Sequence, residues 1–398
     1  MDIKIKQMER ENNKMKKTLT LYPFNQKFPT VYESTIELFS KNYNLNYSPL
    51  KISYFYWLKD NHLIRNFYYL IMKIFRKYLK LNNLKKKPKM DVEKNLLFCF
   101  NQLPPPEFDF ILDLETVIGL ANYDYSKLDR EYISARLASK KCKAITCWNN
   151  FAYNDLIKII DCSKFKNKIN IIPFAGNSPR LRKTSKDGLN FLFVASINNP
   201  LAFMTKGGLI ALEAYANLTK KYKNIKFFVR ANINDELVKQ YKDIPGLIFL
   251  RKYLTNDKME ELSLNSDILL EPLPGMDLMM KSMEFGLPLI SFDYECAFET
   301  IINKKTGFLI NSFEIFGDRD NLDKYYKNQN ENYKLLSKKE ECLKFVPKFV
   351  EKCETLIKNR KLLNKMVKQQ HSLVEEGGKY SLKKRNHELI SLINPHMG

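Results

Sequence analysis

Short, almost wholly apolar runs recur along this chain, and the segments between them carry apolar residues at the spacing of amphipathic helices. In the first half the runs are Thr18–Pro23, Leu97–Phe100, Phe108–Asp113, Ala144–Trp148 and Ile169–Pro173. In the second half they are Leu189–Ala195, Ile225–Val229, Leu247–Leu250, Asp267–Leu270 and Pro288–Phe292. Runs this short read as strands buried on both faces. Helices are predicted at Val31–Asn42, Ser126–Ser139 and Ala152–Ile160, and along the face Leu209, Leu212, Ala216. Strand and helix alternating in this way argues for open parallel α/β sheets. The polar, basic stretch 178–188 has no apolar period, and the pattern restarts after it.

A length of 398 residues fits two domains better than one core. The expected division is residues 1–180, with 1–17 frayed, residues 185–375 with a charged helical insertion near 311–350, and a final helix, 376–398, that crosses back to the first unit. Two Rossmann-like domains joined by a short connector would face each other across a ligand cleft. No apolar run reaches the ~20 residues of a spanning helix, and the N-terminus has charges but no apolar core, so a cytoplasmic protein is expected. Seven scattered cysteines and four histidines form no ligand spacing, so no metal and no cofactor is expected, only reduced thiols.

The formal charge of +22 has two readings. One is the Lys-, Asn- and Ile-rich composition of a biased genome; the other is attraction to nucleic acid, anionic membranes or phosphorylated ligands. The lysines are spread out, with no helix-turn-helix and no RNA-binding aromatic signature, so nucleic acid is not the expected partner. The aromatic and basic segment 65–89 fits either a membrane-surface element or an ordinary helix with a solvated basic face.

The chemistry concentrates in the second half. Lys206-Gly207-Gly208 opens a helix after a strand and a loop, which places a cation beside unpaired backbone N–H groups, as a diphosphate requires. The plainer alternative is glycine at a helix start with no ligand. Further on, Asp277, Lys281 and Glu284 lie at i, i+4 and i+7 and share one helix face. Such a face is either a solvated row of charges or, since it begins where a strand of the sheet ends, part of a ligand site.

Residues 189–310 resemble the donor domain of retaining GT-B glycosyltransferases. The matches are Lys206-Gly207-Gly208, the strand end Asp267–Pro272, and Glu299-Thr300-Ile301-Ile302-Asn303-Lys304-Lys305-Thr306-Gly307-Phe308-Leu309-Ile310. The stretch from Gly275 through Lys281 to Glu284 is also similar to a segment of the β-1,4-mannosyltransferases that build lipid-linked chitobiose cores. The resemblance implies a GT-B fold, hexose transfer from a GDP- or UDP-linked sugar, and a glycan, lipid-linked or protein-linked acceptor. It implies that Lys206 and the Gly207 and Gly208 amides bind the donor phosphates, with Lys281 adding charge, and that Glu284 binds the ribose. Met276 stands where the family places the first acid of a Glu-x7-Glu pair, with Asp277 beside it. Ser196 stands where the family has an arginine.

In the first half, residues 108–176 resemble the end of an acceptor domain. Asp113 and Glu115 sit at a strand end and are candidates to orient or deprotonate an acceptor hydroxyl, or else to cap the next helix. Two rival readings stay open: an inactive GT-B module that binds a glycan or a partner, and a basic nucleic-acid-binding protein.

Overall fold

The computed structural model of the protein describes residues 17–23, 32–46, 96–181, 188–318 and 321–397. The lead-in before Lys17, the basic segment 65–89 and residues 182–187 of the expected connector lie outside the described residues.

The strands form two six-stranded sheets, and every pairing is parallel. The first contains β1 (Thr18–Tyr22), β2 (Asn44–Asn46), β3 (Leu96–Phe100), β4 (Asp109–Leu114), β5 (Cys142–Cys147) and β6 (Ile169–Ile171), in the order β2-β1-β3-β4-β5-β6. The second contains β7 (Leu189–Val194), β8 (Ile225–Arg230), β9 (Leu247–Leu250), β10 (Ile268–Leu270), β11 (Leu289–Phe292) and β12 (Gly307–Ile310). Its order is β12-β11-β10-β7-β8-β9. Every residue of β3 is buried, as is every residue of β10 and β11. Both faces of these strands are covered, and this explains why they are continuous apolar runs without alternation.

Strand β2 was not among the expected elements. It is short and reads Asn-Leu-Asn, and pairing with β1 rather than any apolar signal makes it a strand. The helix expected over 126–139 is instead a 3₁₀ turn, Tyr125–Lys127, followed by a helix, Arg130–Ala138. The Asp129 carboxylate accepts from the Tyr132 amide at 2.9 Å, so Asp129 caps a new helix in place of continuing the old one.

Most crossover helices open on such caps, including Asn149, Asn234 and Thr255. The helices Gly208–Thr219 and Met276–Phe285 differ: each opens on a glycine with no side-chain cap.

Beyond β12 four helices, Phe313–Phe316, Leu322–Leu335, Lys339–Leu343 and Val346–Lys358, lead back over the second sheet. Phe345 and Phe349 there pack edge-on against Phe292 of β11, at 5.1 and 5.2 Å between ring centres. The helix Arg360–Val374 then runs beside Met276–Phe285, where the Gln370 amide donates to the Leu287 carbonyl at 3.0 Å. The helix Leu382–Ile393 docks on the helix Glu33–Asn42 of the first unit: Arg385 donates to Thr35 at 2.8 Å, and Tyr43 donates to Asn394 just beyond it at 3.0 Å. No described helix is long and apolar enough to cross a membrane. The seven cysteines are free thiols, and among the described residues no three His, Cys, Asp or Glu side chains gather as a metal site would need.

Candidate functional site

In the second sheet the chain leaves β7 toward β8 on one side and returns as β10 on the other. The carboxyl ends of β7 and β10 therefore flank a topological switch point, the place where open α/β sheets bind ligands. Three of the expected donor-site residues meet there. Gly207 has φ 78°, and a side chain on it would come within 2.7 Å of Pro272; one on Gly208 would strike the Phe203 ring at 2.3 Å. Only glycine allows the two loops to close on each other. Once closed, Leu273 N–H donates to the Lys206 carbonyl at 3.3 Å, and the Lys206 ammonium donates to the Leu273 carbonyl at 2.9 Å. A side chain on Gly275, which opens the helix Met276–Phe285, would lie 3.8 Å from the Lys206 nitrogen. One ammonium thus sits between two helix N-termini that lack side-chain caps, so cation and dipoles favour negative charge at the same point.

Beneath Lys206 lies Glu271, which the sequence reading did not single out. It follows β10 directly and is fully buried. One carboxylate oxygen accepts from the Val194 amide at 3.2 Å; the other has no hydrogen-bond partner. Burial pushes its carboxyl up, with the Lys206 charge and the Val194 amide opposing. A neutral Glu271 leaves the Lys206 charge available to a ligand.

Ser196 is exposed just past β7, its hydroxyl accepting from the Asn198 amide at 3.2 Å. Asp277, Lys281 and Glu284 do share one face, and it runs from the cleft inward. Asp277 is exposed, and its carboxyl is pushed up by the surrounding walls, with Glu284 and Glu33 of the first unit adding to the effect and Lys281 opposing it. Glu284 is buried at the far end. One oxygen accepts from the Asn177 amide at 2.7 Å and from its side chain at 3.0 Å; the other accepts from Lys281 at 3.0 Å. Its carboxylate is committed to the segment leading out of the first unit. Met276 is buried and apolar.

Across the cleft, the two expected first-unit acids part company. Asp113 lies inside β4, in register with Thr146 of β5. It accepts from Thr146 at 2.5 Å and from the Trp148 indole at 2.8 Å, and is 1% exposed. It belongs to the core and does not face the cleft, because its place within the strand puts its side chain under Trp148. Glu115 comes after the strand ends and does reach the cleft. Asn101, with φ 51°, cradles it: the Asn101 carbonyl accepts from the Glu115 amide at 2.7 Å and the Asn101 amide donates to its carboxylate at 3.1 Å. Tyr123 donates to the same oxygen at 2.7 Å. Burial raises the Glu115 carboxyl, Tyr123 and Asn101 lower it, and Asp113 adds to the rise.

Facing Glu115 from the second unit is Glu295, another residue missed from sequence. It follows β11 with φ 44° and accepts from Gln329 at 2.9 Å. Burial, offset by the Tyr294 hydroxyl, then Glu115 and Asp155, push it up to about 7, with Lys206 pulling the other way. Glu295 therefore feels the charges of both Glu115 and Lys206. No spacing in the sequence signals this, because the pairing exists only once the two sheets face each other.

No family model matches the sequence, and no curated protein does. Solved structures do resemble it. Anabaena HepE, crystallised with UDP, superposes with a TM-score of 0.58 over 95% of this chain and 100% of its own, at 10% identity. Sucrose-phosphate synthase from Thermosynechococcus elongatus gives 0.56 over 96% and 99%, also at 10% identity. A glycosyltransferase from Rickettsia africae gives 0.54 over 96% and 98%, at 14% identity. This is the GT-B fold. In GT-B terms, the first sheet with Glu115 is the N-terminal Rossmann-like unit. The second sheet with Lys206 is the C-terminal one, and the connector near Asn177 is held by Glu284.

Proposed function

We propose that this GT-B protein transfers a hexose from a nucleoside-diphosphate sugar, UDP- or GDP-linked, to a hydroxyl of a glycan, glycolipid or protein-linked acceptor. The observation that carries the reading is the placement of Lys206 between two helix N-termini at the switch point of the second sheet. Charge develops on the departing diphosphate in such a transfer, and a fixed cation with oriented amides stabilises it without rearrangement. The GT-B neighbour HepE, solved with UDP, supports the same ligand class. Lys281 and Asp277 lie on the helix that opens there, and Ser196 and the buried Glu271 lie at the strand ends around it. Glu295 takes the acceptor's proton, since a carboxylate raised to about 7 suits general-base work near neutral pH, and the Glu115 charge contributes to that rise. Asp113 has no part in this step.

The test is binding of UDP and GDP by the whole chain, followed by thermal shift, with Lys206→Ala beside it. A nucleotide at a hundred times its dissociation constant adds about 2.7 kcal/mol of stability. Lys206→Ala should lose most of that shift. Binding of neither nucleotide by the unaltered chain would overturn the reading.

One observation favours a second reading, a GT-B module that binds a sugar nucleotide without turnover. Glu284 is engaged on both oxygens, and Met276 supplies no acid at the head of its helix. A nucleotide shift with no hydrolysis or transfer of any UDP- or GDP-sugar would support it.

A further inference from the structure

A second opening lies between the two GT-B units, and Lys206 is not among its lining residues. It is a cavity of about 490 Å³, inside the range of roughly 300–1,000 Å³ usual for small-molecule sites. One wall is the helix Asn150–Ile159 of the first unit; the other is the segment after β11 and the start of the insertion after β12. Its two kinds of lining point to one class of ligand. Phe151 and Phe298 meet edge to face at 6.2 Å across the unit boundary, and Phe298 and Phe313 are 44% and 62% exposed. Exposed phenylalanines beside a concave site offer apolar faces to a ligand. Among the described residues, between them stand short polar side chains, including Asn154 and Asn311, and three carboxylates, Asp155, Asp293 and Asp318, against one ammonium, Lys158.

That charge balance decides the matter. The whole chain carries a formal +22, yet this cavity is lined by more acid than base. It disfavours phosphate, nucleotide and acidic polymers, and so cannot duplicate the Lys206 site. Nor are the acids arranged for a cation: Asp155 is buried and accepts from Tyr326, and Asp293 accepts from the Ser312 amide at 2.8 Å. What remains is a neutral ligand with hydroxyl donors on some faces and C–H on others. We infer that the cavity between the helix Asn150–Ile159 and the insertion binds neutral sugar units of the acceptor. Calling the sugar an acceptor rests on the transfer reading above; the affinity for neutral saccharide does not.

The experiment uses the whole chain, the unaltered protein beside Phe298→Ala and Phe313→Ala. Neutral trisaccharides (chitotriose, mannotriose, maltotriose), a heparin fragment and a lysine-rich peptide are titrated by saturation-transfer NMR and calorimetry, with UDP measured in parallel. Both phenylalanines are exposed, so the variants should fold. The expected result is binding of at least one neutral trisaccharide, weakened about three- to tenfold by each variant, with UDP affinity unchanged. Three outcomes would overturn the subsite: no neutral saccharide bound, binding indifferent to both variants, or preference for heparin or peptide. Failure to bind UDP with saccharide binding intact would sink the transfer reading and leave the subsite standing.

Discussion

Glu271 shows how much a single side chain can carry unseen by pattern. In sequence it is one polar letter after an apolar strand; in the fold it is fully buried with one oxygen lacking any partner. Its pKa is raised above the unfolded value, so the folded state holds the proton more tightly. The stability it contributes is complete below about pH 4.5 and is lost as pH rises through neutrality toward the folded value. Glu271→Gln keeps the shape and stays neutral. Its stability relative to the unaltered protein should therefore improve steadily from pH 5 to pH 9 in urea titrations; a difference independent of pH would show that Glu271 is already ionised. Glu295 gives a rate prediction of the same kind. A base with a pKa of about 7 works only when deprotonated, so kcat/KM should rise with pH through about 7. Glu295→Gln should remove that limb and cost roughly 10²–10⁴ in rate. Persistence of the limb would show that Glu295 is not the base. The sequence pointed to Glu115 but also to Asp113, which a strand-end motif cannot separate from it: whether an acid faces the cleft or the core depends on which residue is the last in register, here Leu114 with Cys147.

Elements were more legible than residues, because apolar runs report burial directly. The strands at 189–194, 225–230, 247–250 and 289–292 lie where their hydrophobic patterns place them. What the pattern could not reveal is how elements complete one another across the two units. The helix Asn150–Ile159 is the clearest case. Its own Asn149 caps one amide at 2.7 Å. The remaining first-turn donors reach into the second unit, where Glu299 accepts from the Asn150 and Phe151 amides at 3.2 Å each and from the Asn150 side chain at 2.7 Å. The match of the Glu299 segment to a family motif carried no hint of this role. A carboxylate at a helix N-terminus gains from the dipole, and removing it strands partly buried donors. Glu299→Ala should cost about 1–3 kcal/mol in urea unfolding, and Glu299→Gln less. An unchanged midpoint for the alanine variant would mean that water replaces the cap and that this contact does not hold the units together.

At the scale of the whole molecule, the GT-B cleft is bounded by contacts of unequal strength. Behind it, Gly176 N–H donates to the Tyr380 carbonyl at 3.1 Å and Asn177 is tied to Glu284, while Arg385 and Tyr43 join the final helix to the first unit. In front, the helix Leu322–Leu335 clasps the first unit through Asp323, which pairs with Arg130 at 2.5 Å and accepts from Tyr125, and through Tyr326, which stacks on Tyr125 and donates to buried Asp155. The rear contacts are mostly buried. Asp323 and Arg130 are half exposed, and an exposed ion pair contributes only about 0–1 kcal/mol. Among the described residues, the one strong front contact is the buried Tyr326–Asp155 bond; with it removed the front should open first, with the rear acting as the hinge, and this order is testable. Replacing Asp323 with Ala and Tyr326 with Phe together should speed hydrogen exchange in 125–138, 150–159 and 322–335. Exchange in β7, β10 and β11 should not change, and nucleotide affinity should stay the same, because Lys206 and both helix N-termini belong to the second unit. Faster exchange spreading to Gly176, Asn177 and the final helix would show instead that the clasp and the rear contacts open as one cooperative body. In that case access to the Glu115–Glu295 pair would need both sides of the cleft to yield together.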